Sequence, residues 1–157
     1  MLEAKPDSLF FISGAIDVAR LAQQSRRLAP TLPIGATEWA ASEQLLELGG
    51  KVVDGLLIVL NYNRDDTSPR YQEFRDAYFK RFQRHPGYSA VSAYDAATVL
   101  FSALRKRTEK ESTKAAILKY GPYQGLQQEI AFDANGDTPR KVFFTEIHEG
   151  RYVLVDK

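Results

Sequence analysis

Residues Ser8–Leu60, SLFFISGAIDVARLAQQSRRLAPTLPIGATEWAASEQLLELGGKVVDGLLIVL, decide the fold. Ser8–Ser13 (SLFFIS) is a short apolar run of the kind buried on both faces of a parallel sheet, and Gly14 ends it. Asp17–Ala29 carries Val18, Leu21, Ala22, Ser25 and Leu28 at helical spacing, and Pro30 with Pro33 brackets a turn. Pro33–Thr37 (PIGAT) reads as a second strand. Ser42 stands where an N-cap would, so Glu43–Leu48 reads as a short helix closed by Gly49-Gly50. Gly55–Leu60 (GLLIVL) is a third strand, again an unbroken apolar run. Alternating strands and helices imply an α/β protein with a parallel sheet, because each parallel connection needs a crossover that a helix supplies. Three strands alone make a thin sheet with two open edges, so the run reads as the middle of a larger domain rather than its beginning.

Beyond Leu60 the chain turns helical. Ser68-Pro69 pairs a cap with proline at the first helical position, and Tyr71, Phe74, Tyr78 and Phe82 form a stripe on the helix it opens. His85-Pro86-Gly87 stops that helix. A second, about Ala90–Arg107, aligns Val91, Tyr94, Ala97, Thr98, Phe101 and Leu104; its basic end suits the negative pole of the helix dipole. Ser112 is placed to cap a third helix running to Tyr120, which Gly121-Pro122 ends. Gln128–Phe132 is a candidate strand, Asn135-Gly136 a turn signal, and Lys141–Ile147 joined through Glu149-Gly150 to Arg151–Val155 an antiparallel hairpin. No repeat, low-complexity tract or linker marks an obvious boundary between independent units.

The 157 residues fit one domain of ordinary size, and 44% hydrophobic with 26% charged residues is the balance of a globular protein. A net charge of +1 gives no electrostatic footprint for nucleic acid or an anionic membrane. With no cysteine, a disulfide framework, a thiolate metal site and a cysteine nucleophile are all excluded. There is neither a basic-then-apolar leader nor a long apolar span, so a leader, if the parent is secreted, is expected upstream of Met1.

Catalytic chemistry finds no foothold. His85 and His148 lack a second histidine at metal-ligand spacing, and Ser13-Gly14-Ala15 fits neither the dinucleotide fingerprint nor the P-loop. No serine sits in a nucleophile elbow, and nothing singles out an acid-base pair among the twenty carboxylates. The expectation is therefore a protein without catalytic residues, metal or cofactor.

Binding chemistry is better supplied. In open parallel sheets the ligand site lies beyond the carboxyl ends of the strands, where loops enter helices whose first N–H groups are unpaired. Three segments end a strand that way: Ser13-Gly14-Ala15-Ile16, Thr37-Glu38-Trp39 and Asn61-Tyr62-Asn63. Glu38 could neutralise a ligand ammonium, or be a solvated loop carboxylate. Trp39, the only tryptophan, could form a flat apolar wall or cation-π face, or cover the sheet edge. Tyr62 reads as packing, and Tyr94, on the apolar stripe of its helix, as core by default.

Four segments together resemble the C-terminal part of type I periplasmic substrate-binding proteins, the leucine/isoleucine/valine-binding family that serves ABC transporters. They are FISGAIDVARLAQQSRRL, LPIGATEWAASEQLLELGGKVVDGLLIV, YQEFRDAYFKRFQRHPGYSAVSAYDAATVLFSAL with its AYDA element, and IAFDANGDTPRKVFFTEIHEGRYVLV with its FD-x-NGD turn. Their order and spacing span about Ser8 to Val155. The resemblance implies a partial, truncated form of a two-lobed fold built from three-layer α/β sandwiches, in which the chain crosses a hinge three times and the ligand is trapped between lobes. Residues 8–62 would be part of the second lobe, 68–120 helices returning to the first, and 121–157 terminal strands near the second lobe and hinge. The family is roughly twice this length, so the chain is expected to be a fragment lacking most of the first lobe.

By the same resemblance the ligand is an amino acid or similar small molecule, the parent's partner is an ABC permease, and its compartment is periplasmic or extracellular. A ligand-sensing domain of a receptor or regulator shares this fold, and a small α/β enzyme is the more distant alternative. Family members hold the ligand ammonium with an acidic residue in the loop after the strand matching Pro33–Thr37. Glu38 sits there, with Thr37 as the strict positional match. An aromatic often follows the glycine matching Gly14; here Ala15 and Ile16 stand in its place, which departs from a standard branched-chain pocket. Thr37, Glu38, Trp39, Ala15, Ile16 and Tyr94 are thus the candidate ligand contacts. A chain with one wall of such a site is expected to bind amino acids weakly or not at all, and to self-associate or swap domains through the apolar surface left open.

Overall fold

The computed structural model describes residues 2–155. In chain order the elements are β1 (Leu9–Phe11), α1 (Ala15–Leu28), β2 (Ile34–Ala36), α2 (Glu43–Gly49), β3 (Leu57–Leu60), α3 (Pro69–Phe82), α4 (Tyr88–Lys106), α5 (Thr113–Tyr120), β4 (Tyr123–Gln124), β5 (Glu129–Ile130), β6 (Phe143–His148) and β7 (Arg151–Leu154), with 3-10 turns at Leu2–Ala4, Glu38–Ala40 and Gly50–Val53. They fall into two compact units: the chain up to Arg64 together with Val142 onward, and Asp65–Lys141. The boundaries run through Asn63-Arg64-Asp65-Asp66 and Arg140-Lys141-Val142. Neither has the composition of a linker, so composition marks no division at either place.

The first unit is a five-stranded mixed sheet in the order β1-β2-β3-β6-β7. β1, β2 and β3 are parallel, with Leu9 opposite Ile34 and Ala36 opposite Ile58. The terminal hairpin then docks antiparallel on β3, Leu57 opposite Glu146 and Leu60 opposite Phe143. The thin three-stranded sheet expected from the opening run is therefore widened on one side, and β3 is an interior strand. Glu149 and Gly150, both at positive φ, make the two-residue turn that matches the right-handed twist of the hairpin.

The parallel strands advance in one direction, β1 to β2 to β3. Right-handed crossovers in such a progression put successive helices on the same face. α1 and α2 pack together accordingly, and Ala15, Val18, Ala19, Ala22 and Ser25 of α1 are buried with Leu9, Phe11, Ile34, Ala36, Ile58 and Leu60 of the sheet. SLFFIS reads as buried on both faces; instead Leu9 and Phe11 are buried while Phe10 and Ile12 are exposed, because among the described residues no helix of this unit lies on the second face. Leu28, expected on the buried stripe of α1, is also exposed, lying at the helix end beyond the sheet.

The second unit holds α3–α5 and the short β4–β5 pair, antiparallel with Tyr123 opposite Ile130. Its core joins Val99, Ala103, Ala116, Tyr123 and Ile130. Ser112 caps α5 by accepting from the Ala115 N–H at 3.1 Å, as its position suggested. The buried stripe of α4 is Val91, Asp95, Val99 and Ala103, one residue round from the expected line. Tyr94, read as core, is 41% exposed with its ring against Phe74 at 4.9 Å, and Phe101 and Leu104 are exposed too. The reason is Asp95. Its buried carboxylate accepts from the Leu126 N–H at 2.8 Å and lies 3.5 Å from the Arg140 guanidinium, which orients the helix around a polar residue that an apolar count passes over.

Candidate ligand-binding site

Parallel pairing brings the carboxyl ends of β1, β2 and β3 to one edge of the first unit's sheet. The Thr37 N–H donates to the Phe11 carbonyl at 3.1 Å, so the loops leaving β1 and β2 run side by side. After β1, Gly14 takes the N-cap position of α1 with no side-chain cap, leaving the first-turn N–H groups of a 14-residue helix without an intrahelical partner. Ala15 turns its methyl into the core, whereas Ile16 is exposed. The Ser13 hydroxyl is 3.1 Å from the Asp17 carboxylate, tying that loop to the first turn of α1.

After β2 the chain makes a tight 3-10 turn, in which the N–H groups of Ala40 and Ala41 donate to the carbonyls of Thr37 and Glu38 at 3.0 and 2.9 Å. Ala40 and Ala41 are buried, so the turn is anchored from below and presents Glu38 and Trp39 outward. The Glu38 carboxylate is half-buried and has no ion-pair or hydrogen-bond partner among the described residues. The Trp39 indole is 59% exposed and does not cover the sheet edge. Beside them the Thr37 hydroxyl is buried with no hydrogen-bond partner. A buried hydroxyl left unsatisfied costs about 1–3 kcal/mol, a cost that a polar ligand atom seated there would remove.

After β3, Tyr62 is buried, in line with a packing role. No local pattern singles out its neighbour Arg64. The Arg64 guanidinium bonds Glu43, in the first turn of α2, at 2.7 Å and lies 4.7 Å above the Tyr152 ring, while the Tyr152 hydroxyl donates to the Ser42 carbonyl at 2.7 Å. Burial pushes the Tyr152 phenol up, so it stays a donor across the ordinary pH range. This cluster holds the start of α2 to β7 and so fixes the far end of the loop that carries Glu38. Ser42 occupies the N-cap position but its hydroxyl makes no cap bond. Arg64 is 21 residues from Glu43 and 88 from Tyr152 in sequence, and no local pattern announces such a clamp.

Thr37, Glu38, Trp39 and the Ala15-Ile16 helix start are thus neighbours on one edge, whereas Tyr94 belongs to the second unit. That unit has a concavity of ≈ 260 Å³ walled by Val99, Ile117, Ile130 and Phe132, with Asp95 and Arg140 at its polar side already engaged with each other. Among the described residues no three His, Asp or Glu side chains gather as a metal site, and no helix is long and apolar enough to cross a membrane.

The first unit is thus a mixed α/β sheet whose parallel strands open on an edge that carries an unpartnered carboxylate, an orphan hydroxyl and an exposed indole. A family model described as periplasmic binding protein matches residues 1–151, and the chain belongs to that family, one of binding proteins and not of enzymes. Among solved structures, the leucine-binding protein LivK of Thermotoga maritima aligns with a TM-score of 0.88 and 25% identity, over 99% of this chain and 45% of its own. LivJ of Streptococcus pneumoniae, a branched-chain amino acid transporter substrate-binding protein in complex with isoleucine, aligns at 0.83 and 17% identity over 95% and 44%. An ABC transporter substrate-binding protein of Desulfitobacterium hafniense, in complex with Leu, aligns at 0.79 and 21% over 98% and 45%. The chain therefore spans less than half the length of each. No curated protein matches significantly.

Proposed function

We propose that this chain is part of the solute-binding component of an ABC uptake transporter, working in the periplasm or outside the cell and handing an amino acid or similarly small zwitterion to a membrane permease. The observation that carries the reading is the half-buried, unpartnered Glu38 beside the orphan Thr37 hydroxyl at the carboxyl edge of the parallel strands. The ligands in the printed names of LivJ and of the D. hafniense protein, isoleucine and Leu, support it. Glu38 takes the ammonium, Thr37 accepts or donates a second polar contact, and Trp39 with Ile16 supplies apolar wall. Ala15 contributes through its backbone N–H at the start of α1.

This edge is one wall of a site, and closure around a ligand draws affinity from contacts on both walls. Affinity of the chain alone therefore sits at about 1 mM or weaker, near −4 kcal/mol. Because Trp39 is the only tryptophan, its fluorescence reports the site directly. Titration with leucine and isoleucine is expected to shift Trp39 emission with millimolar half-saturation, and Glu38→Gln to weaken the response by roughly tenfold or more, as loss of a charged hydrogen bond demands. An unchanged emission up to 50-fold above that range, about 50 mM, or a Glu38→Gln protein that responds like the parent, would refute the assignment.

A further inference from the structure

The turn between β5 and β6, signalled in the sequence by Asn135-Gly136, is built around one side chain. The Asp133 Oδ1 oxygen accepts from the N–H groups of Asn135 and Asp137, both at 2.9 Å. The Asp133 main chain closes the same turn, its N–H donating to the Asp137 carbonyl at 2.9 Å and its carbonyl accepting from the Gly136 N–H at 3.1 Å. Gly136 lies at φ +94°, a conformation that glycine takes without steric cost, and beyond its chain neighbours no atom stands within 4 Å of the place where its Cβ would be. All five residues 133–137 are exposed, and the Asn135 carboxamide has no hydrogen-bond partner among the described residues.

An asparagine followed by glycine is chemically self-reactive, because no side chain on the second residue shields its main-chain nitrogen. When the Gly136 nitrogen loses its proton to solvent base, it attacks Asn135 Cγ. The new N–Cγ bond closes a five-membered succinimide, and the bond to the side-chain nitrogen breaks as ammonia leaves with a proton from water. Water then opens the ring at either carbonyl, giving aspartate or isoaspartate at 135. Water is the only co-reactant, and nothing is oxidised. The other two asparagines, Asn61 and Asn63, precede Tyr62 and Arg64, whose side chains crowd the attacking nitrogen. Asp54-Gly55 offers the same glycine, yet the Gly55 N–H is held by the Ile147 carbonyl of β6 at 2.8 Å, within the first unit's sheet.

We propose that Asn135 is a site of spontaneous deamidation whose rate the Asp133 side chain restrains. The Gly136 N–H is engaged in a hydrogen bond inside the turn, so its nitrogen swings toward Asn135 only when the turn opens. The Asp133 carboxylate sits against the N–H groups on either side of it, and a negative charge there opposes loss of the Gly136 proton. Conversion undoes that order. A carboxylate at 135 stands between Asp133 and Asp137 and lowers the formal net charge from +1 to zero. Isoaspartate also inserts a methylene into the main chain, which breaks the register in which Asp133 holds the Asp137 N–H. Every group in the reaction lies within residues 133–137, so the site depends neither on what packs against this unit nor on what the candidate edge binds.

The test is peptide mapping by mass spectrometry of the 157-residue chain kept for weeks at neutral and at mildly alkaline pH. The expected result is conversion of Asn135 to aspartate and isoaspartate, faster at the higher pH, with Asn61 and Asn63 intact and no isoaspartate at Asp54. Asp133→Ala speeds conversion about tenfold or more, as loss of charge-assisted hydrogen bonds of this kind demands. Should that variant not fold, the parent held in urea, where the turn is gone, shows the same acceleration over the folded parent. Asn135→Gln abolishes the acidic species that the parent develops on isoelectric focusing. A folded chain whose Asn135 stays amidated at the alkaline pH overturns the proposal, as do equal rates in the parent, in Asp133→Ala and in urea, or an acidic species that persists in Asn135→Gln.

Discussion

Replacing Asp95 tests whether one buried carboxylate orients the helical unit. Its side chain is 3% exposed, one oxygen accepts from the Leu126 N–H at 2.8 Å, and the other faces Arg140 at 3.5 Å. Gly125 makes the approach possible, since a Cβ there would sit 3.1 Å from the same Asp95 oxygen and 2.5 Å from the Gln128 carbonyl. Asp95→Asn keeps an acceptor for Leu126 but exchanges a charged hydrogen bond for a neutral one and sets an amide against the guanidinium, a loss of about 2 kcal/mol. Asp95→Ala also strands a buried N–H and leaves Arg140, a quarter exposed, without its counter-charge. That comes to about 3–4 kcal/mol, below the full buried-pair penalty because Arg140 keeps some water. Urea unfolding followed by circular dichroism gives the totals, and hydrogen exchange at the Leu126 amide gives the local effect, with protection falling about 100-fold or more in Asp95→Ala. Equal costs for the two variants, a cost under about 1 kcal/mol for alanine, or an unchanged Leu126 exchange rate would refute the account.

Three other outcomes follow from the same geometry. The Glu111 carboxyl is held at about 2, against an ordinary 4.5, first by the Lys119 ammonium and then by the Thr108 N–H. A depressed carboxylate contributes fully above about pH 4.5 and loses its contribution as pH falls through about 2; melting curves should therefore show parent and Glu111→Gln converging over that window, and a constant gap would count against it. Arg64→Met removes the brace between α2 and β7 and should cost about 1–2 kcal/mol in unfolding while weakening the Trp39 response to leucine, whereas a loss of stability with no change in that response would detach the clamp from the site. Gly49→Ala would put a Cβ 2.4 Å from Val53 and should destabilise by about 1–3 kcal/mol, whereas Gly35→Ala, whose one close approach is to the movable ring of exposed Phe10, with the Leu57 carbonyl at an ordinary 3.5 Å, should cost less than about 1 kcal/mol; thermal melts that reverse this order would refute the steric reading.

Local signals carried the strands and helices of Ser8–Leu60 well. The apolar runs, Pro69 at the first turn of α3, Ser112 at the cap of α5 and Glu149-Gly150 at the hairpin are short-range instructions, and each element stands within a few residues of its expected place. What failed was facing. An apolar run does not say how many of its faces have a partner, so Phe10 and Ile12 were read as buried. A helix stripe drawn from apolar residues alone passes over Asp95 and puts Tyr94 in the core, where the structure buries the first and exposes the second. The docking of β6 on β3, 80 or more residues away, depends on which edge the hairpin finds. In the candidate site, Glu38 and Trp39 were legible from strand-end position, but the orphaned Thr37 hydroxyl and the Arg64–Glu43–Tyr152 clamp exist only once distant segments meet.

One topological fact underlies both the candidate site and the open face. Strands that advance in a single direction align their carboxyl ends, which gathers Gly14, Thr37, Glu38 and Trp39 on one edge. The same advance sends α1 and α2 to one side, which leaves Phe10, Leu57, Phe144 and Val153 without cover on the other. The edge is polar and small, so its occupancy is governed by charge and hydrogen bonding and responds to Glu38→Gln.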